Sequence, residues 1–132
     1  MNARDHNEAM VWSGIGAIAL ALAVAIGAFG AHGLRGKLDD YSMGIYERAV
    51  FYHFVHALGL LVLPLFIRAG VLTQAVGARI CVLLLAGIVL FSGSLYALAI
   101  TGVRVLGAVT PFGGLAFIAA WVMLGWYLLK FA

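Results

Sequence analysis

Charged residues divide this chain into four long apolar runs. The first extends from about Ala9 to Ala31, the second from Ala49 to Ile67, the third from Ile80 to about Val103 and the fourth from Val105 to Leu129. None of them contains Asp, Glu, Lys or Arg. A helix rises about 1.5 Å per residue and needs about 20 mainly apolar residues to cross a hydrocarbon core about 30 Å thick. Each run is long enough, so the pattern predicts an all-α, four-transmembrane-helix bundle forming one integral membrane domain over residues 1–132. A membrane barrel would instead need at least eight alternating segments of about ten residues. Between the runs lie a short tail, a polar loop from His32 to Arg48, a second loop from Arg68 to Arg79 and a turn at Arg104. In the first loop Leu38, Tyr41, Ile45 and Tyr46 recur at near-helical spacing. That spacing predicts a short interfacial helix between spans one and two; a solvated linker is the alternative.

Composition agrees with the pattern. Apolar residues make up 65% of the 132 residues and charged residues 10%, with a mean hydropathy of +1.11. An ordinary soluble domain has about 45–50% and about 25% respectively. A soluble enzyme and a disordered chain are therefore excluded as readings, as is a disulfide scaffold, since Cys81 is the one cysteine and sits in the apolar run Ile80-Cys81-Val82-Leu83. Arg4 followed by an apolar stretch and Ala23-Val24-Ala25 could suggest a cleaved signal, but the run continues to Ala31, so the expectation is a retained span.

The net charge of +3 comes from basic residues scattered singly, without the clustered patch that nucleic-acid binding requires. With four spans both termini lie on one side. Arg4, Arg68, Arg79 and Lys130 fall on that side, and Arg35, Lys37, Arg48 and Arg104 on the other. The count is tied at four each, and only the influence of the first span favours a cytoplasmic location for Arg35 and Lys37.

Helices in lipid associate through close backbone approach at small residues and through interhelical hydrogen bonds. Gly27, Gly30 and Gly33 recur every third residue at the end of span one, above a stripe begun by Gly16 and Ala23. Gly93 in span three and Gly113 and Gly114 in span four are the other expected packing sites; Pro111 just before them is tolerated at a helix start. Trp121, Trp126, Tyr127 and Lys130 are expected to anchor the end of span four at the interface.

Alternating span direction gathers the polar residues in the half of the bilayer next to the first loop. His32 closes span one, Tyr52, His53 and His56 enter span two, and Ser92, Ser94, Tyr96 and Thr110 come from spans three and four, beneath Glu47 and Arg48. Ionisable groups inside a membrane are costly enough to be functional candidates by default. The histidines have three possible roles: ligands of a transition metal together with His32, carriers in a proton relay, or hydrogen-bonding links between helices. No span contains a carboxylate and no cysteine lies near the histidines, so neither a metal nor another cofactor is assigned. Ser92 and Ser94 in Phe-Ser-Gly-Ser-Leu lack the nucleophile-elbow pattern, so no catalytic residue is assigned.

Four blocks then carry a resemblance. They are Gly27-Ala28-Phe29-Gly30-Ala31-His32-Gly33-Leu34; Tyr46-Glu47-Arg48-Ala49-Val50 with His53 and His56; Leu90-Phe91-Ser92-Gly93-Ser94-Leu95-Tyr96; and Gly107-Ala108-Val109-Thr110-Pro111-Phe112-Gly113-Gly114. Together they resemble the membrane family designated domain of unknown function four-two-three, which has bacterial inner-membrane members and small eukaryotic transmembrane relatives. The resemblance implies a four-helix integral protein of the plasma membrane, and it implies no activity. The functional expectation is a non-enzymatic protein acting by interaction with membrane lipid, a membrane protein partner or a second copy of itself. The alternatives are an oligomeric transporter or proton-linked channel and, third, an intramembrane metal or redox protein.

Overall fold

The computed structural model describes residues 3–131, with side chains from Asn7 onward. Arg4, one of the four basic residues on the side of the termini, has its side chain outside the described residues. Helix α1 (Ala3–Phe29) runs into a π-helical turn, Gly30–Leu34, and α2 covers Asp40–Arg68. The third crossing consists of α3 (Gln74–Gly87), a second π-helical turn at Ile88–Ser92, and α4 (Gly93–Thr101). A 3₁₀ turn at Arg104–Ala108 leads into α5 (Thr110–Lys130). Four helical stretches, Asn7–Leu34, Asp40–Arg68, Gln74–Thr101 and Arg104–Lys130, are long and apolar enough to cross a membrane.

The boundaries follow from local chemistry. Asp39 adopts an extended backbone and its carboxylate accepts from the Ser42 amide at 2.7 Å, so α2 starts at Asp40. The segment expected to form a separate interfacial helix is helical, but it forms the opening turns of α2, because no proline or turn interrupts the chain between Arg48 and Ala49. With 29 residues α2 is about 43 Å long, so its first turns extend beyond a hydrocarbon core of about 30 Å. Thr73 caps α3 by accepting from the Val76 amide at 3.3 Å, which moves the start of the third crossing ahead of Arg79. The crossing ends at Gly102, whose φ of 70° suits a residue without a Cβ.

Helix α1 packs along α2, α2 packs on α3 and α4, and α3 with its π turn packs on α5. The larger core joins Leu60, Leu63, Ile80, Leu84, Phe117 and Ala120, and includes the buried Cys81. A second core, on the first-loop side, joins Leu34, Ile45, Tyr46, Ala49, Leu95 and Ala99. The outer helices α1 and α5 present Ile18, Leu22, Leu115 and Val122 outward, as suits lipid contact.

Small residues set the closest approaches. A Cβ on Gly16 would fall 2.7 Å from Leu61 Cα, and one on Gly113 would fall 2.8 Å from Phe91 Cα, so both glycines admit a neighbouring backbone. Gly30 receives the ring of Tyr46, whose hydroxyl donates to the Ile26 carbonyl at 2.7 Å. Gly27 faces Val50, and Gly33 faces Phe29 of its own helix. Gly114 lies at ordinary contact distance from the Phe91 ring, whereas Gly93 is exposed with open space around its would-be Cβ. Gly59, Gly77 and Gly87 are additional tight positions, against Trp121, Ile67 and Phe117.

Candidate functional site

The two histidines of α2 point to different neighbours. Three residues correspond to about 300° of helical rotation, so His53 and His56 differ in direction by about 60°. His53 Nδ1 lies 3.0 Å from the Tyr96 hydroxyl on α4. Either atom can donate, according to which ring nitrogen carries the proton. His53 thus links α2 to α4. The ring of Tyr96 also packs against Tyr46, with centroids 5.2 Å apart.

The hydroxyls are paired locally. Ser92 is fully buried and donates to the Ala49 carbonyl of α2 at 2.8 Å. Ser94 lies 3.0 Å from the Phe91 carbonyl and 2.7 Å from the Thr110 hydroxyl, joining α4 to the start of α5. Both serines adjoin the π turn at Ile88–Ser92, a widened turn of a kind frequent at functional sites.

His56 is arranged differently. It is 5% exposed, and its Nδ1 lies 2.6 Å from the Tyr52 carbonyl one turn back. The carbonyl accepts, so Nδ1 carries the proton and Nε2 presents a lone pair. Among the described residues nothing hydrogen-bonds Nε2. The ring stacks on Phe117 of α5 with centroids 3.3 Å apart and planes 12° apart, and Trp121 lies at 6.0 Å. Tyr52 and Phe91 continue the aromatic wall with centroids 4.5 Å apart.

These rings surround a cavity of about 500 Å³ between α2 and α5, lined also by Gly114, Ile118 and Val122. Ile118 and Val122 are 60% and 63% exposed, so the cavity opens toward lipid. Its lining residues with polar side-chain atoms are Tyr52, His56 and Trp121. Sequence reasoning missed Phe117 and Trp121 as members of a site. Trp121, expected at the interface, sits beside His56 and over Gly59 within the span, while Trp126 near the helix end is 70% exposed.

The remaining candidates lie apart from this cavity. His32 is exposed on the π turn that ends α1, and Glu47 and Arg48 are exposed on the first turns of α2. Glu47 shares a shallow hollow with Arg35 beside Gly30 and Tyr46. Among the described residues no group of three His, Cys, Asp or Glu side chains could hold a metal ion.

Residues 26–114 match the family model described as protein of unknown function (DUF423). The chain belongs to the DUF423 family. It is 52% identical over 119 residues to a UPF0382 membrane protein of Staphylococcus epidermidis, covering 89% of this chain and 94% of the relative. It is 48% identical to UPF0382 membrane proteins of Staphylococcus haemolyticus and Bacillus subtilis, covering 83% of this chain and 88% and 89% of those relatives. No solved structure matches.

Membership of the DUF423 family, relatives named as membrane proteins and four spanning helices identify an integral protein of the plasma membrane. The DUF423 match contains Tyr52, His53, His56, Phe91, Ser92, Ser94, Tyr96 and Thr110, but stops before Phe117 and Trp121. The far wall of the cavity therefore comes from the part of α5 that follows the DUF423 match.

Proposed function

We propose that this protein is a non-enzymatic membrane protein that works by holding an amphiphilic molecule drawn from the lipid phase in the cleft between α2 and α5. The observation that carries this reading is His56, a buried imidazole with an unpaired nitrogen in the wall of a lipid-facing aromatic cavity. An imidazole nitrogen that meets hydrocarbon without a partner is costly, and a bound molecule that donates a hydrogen bond removes that cost. The cavity volume of about 500 Å³ falls in the range of small-molecule sites.

Other polar groups support the same division of labour. His53, Ser92 and the Ser94–Thr110 pair are engaged in contacts that join helices, which argues against a continuous proton path through the bundle. Neither serine hydroxyl bonds a histidine, which removes the base needed for nucleophilic catalysis. The test is native mass spectrometry on protein released from nanodiscs, comparing wild type with Gly114→Leu, which fills the cleft. Retention of about one bilayer-derived molecule by wild type alone supports the proposal. Equal retention by both, or by neither, would sink it.

A further inference from the structure

We infer that the occupant of the α2–α5 cleft carries an aromatic alcohol headgroup, a phenol or hydroquinone, on an apolar tail. The inference rests on the lipid-phase binding proposed above and adds the chemical class of the ligand. Three features of the cleft select that class.

The first is the direction of the hydrogen bond. His56 Nδ1 is engaged by the Tyr52 carbonyl, so the ring offers the cavity an acceptor and no donor. A ketone, ester or quinone carbonyl would place one lone pair against another at Nε2, whereas a hydroxyl donates to it, and its oxygen can still accept from a donor of Tyr52 or Trp121 in the same lining. The second feature is the shape and chemistry of the walls. Tyr52, His56, Phe91, Phe117 and Trp121 are all planar rings, and flat aromatic walls favour a flat guest through offset and edge-to-face contacts. The third is the exit. Ile118 and Val122 are apolar and face outward, which leads a hydrocarbon tail from the cleft into the acyl chains. The site lies about 12 Å below Arg48, at 1.5 Å per residue along α2, beyond the reach of a phospholipid headgroup held at the surface.

The Tyr52 carbonyl and the stack on Phe117 together hold the ring. The stack on Phe117 holds the plane of the ring, and turning it over to offer its N–H to the cavity would break the Nδ1 bond to Tyr52. Binding involves no electron transfer; the cleft takes the reduced, hydroxyl-bearing headgroup because of its donor.

The test uses 4-decylphenol, its methyl ether 4-decylanisole, and 1-decanol, with full-length protein in nanodiscs. Trp12→Phe and Trp126→Phe leave Trp121 as the emitter, and its emission is followed as each probe is added. A neutral hydrogen bond and an aromatic contact each have a net worth of up to about tenfold in affinity. The expected result is saturable binding of decylphenol at least about fivefold tighter than that of either decylanisole or decanol. His56→Leu is expected to abolish the preference of phenol over anisole, and Gly114→Leu to abolish binding of all three. Equal affinities in the unmodified cleft would overturn the headgroup class while leaving lipid-phase binding standing, since the probes would still saturate. The absence of saturable binding by any probe, with no retained molecule in the mass spectrum, would overturn both. The comparison among probes uses the native cleft, so its outcome does not depend on how well the His56 variant folds.

Discussion

Two adjacent glycines at the start of α5 are expected to respond very unequally to the same added methyl group. At Gly113 a Cβ would lie 2.8 Å from Phe91 Cα and 2.7 Å from Phe91 Cβ, in the widened turn of the third crossing. Ordinary carbon contacts lie at about 3.5–4.0 Å, so Gly113→Ala requires α5 to move away by nearly 1 Å. Backbone cannot yield as a flexible side chain does, and overpacking of this kind costs about 1–3 kcal/mol. At Gly114 the corresponding Cβ meets the Phe91 ring at 3.7 Å, a normal contact, so Gly114→Ala is expected to change stability by less than about 0.5 kcal/mol. The chain provides its own reporter, because its one cysteine, Cys81, is fully buried in the larger core. Heating with a thiol-reactive fluorophore reads the temperature at which Cys81 becomes accessible. Gly113→Ala should lower that temperature clearly and Gly114→Ala should leave it near wild type. Equal shifts in the two variants would refute the close approach of α5 to the π turn.

Three further outcomes follow from named contacts. A double-mutant cycle of His53→Phe and Tyr96→Phe, read by unfolding in mixed micelles, should give a coupling of about 0.6 kcal/mol and not above about 1.7 kcal/mol. A larger value would mean an ionised pair, and none would mean no bond. At the start of α2 the Ser42 amide holds the exposed Asp39 carboxyl below its ordinary value of 3.8. A lowered folded-state value stabilises the charged form. Protection of the Ser42 amide from exchange should therefore be full above about pH 4, be lost as pH falls through the lower folded-state value, and become independent of pH in Asp39→Asn. Brominated lipids should quench Trp121 best with bromine near mid-chain and Trp126 best with bromine near the headgroup; the reverse order would restore Trp121 to the interface.

The spans are legible in the sequence because their signal is the absence of charge over more than 18 residues, which needs no knowledge of tertiary contacts. The first-loop helix is only half legible. Leu38, Tyr41 and Ile45 do mark helical periodicity, but nothing in their spacing distinguishes an isolated helix from the opening turns of α2. The tied Lys and Arg count still leaves orientation open. The cavity is harder to see, because an almost uniformly apolar helix carries no amphipathic signal and every face of α5 looks alike. Two traces of it are present: Tyr52 and His56 stand four apart on α2, and Phe117 with Trp121 stand five and nine residues after Phe112 on α5, also four apart. Paired rings one turn apart on two helices are what a flat-walled cleft requires. The polar residues expected to form one group divide because a difference in direction of about 60° sends His53 toward α4 and His56 toward α5. The spacing of Gly93 with Ala97 predicts a packing glycine, yet Gly93 lies exposed beside the buried Ser92 and Ser94. Small-residue spacing alone does not specify which face of a membrane helix is turned inward.

His56 holds its proton on Nδ1 against the Tyr52 carbonyl and leaves Nε2 free for a ligand. Nitrogen NMR of histidine-labelled protein in nanodiscs, assigned with His53→Asn and His56→Asn, reads the protonated nitrogen of each ring directly. The expected result is a neutral His56 protonated at Nδ1, with Nε2 shifting toward a hydrogen-bonded position when 4-decylphenol is added, and a His53 that does not respond to the probe. A His56 ring protonated at Nε2, or on both nitrogens at neutral pH, would contradict that claim.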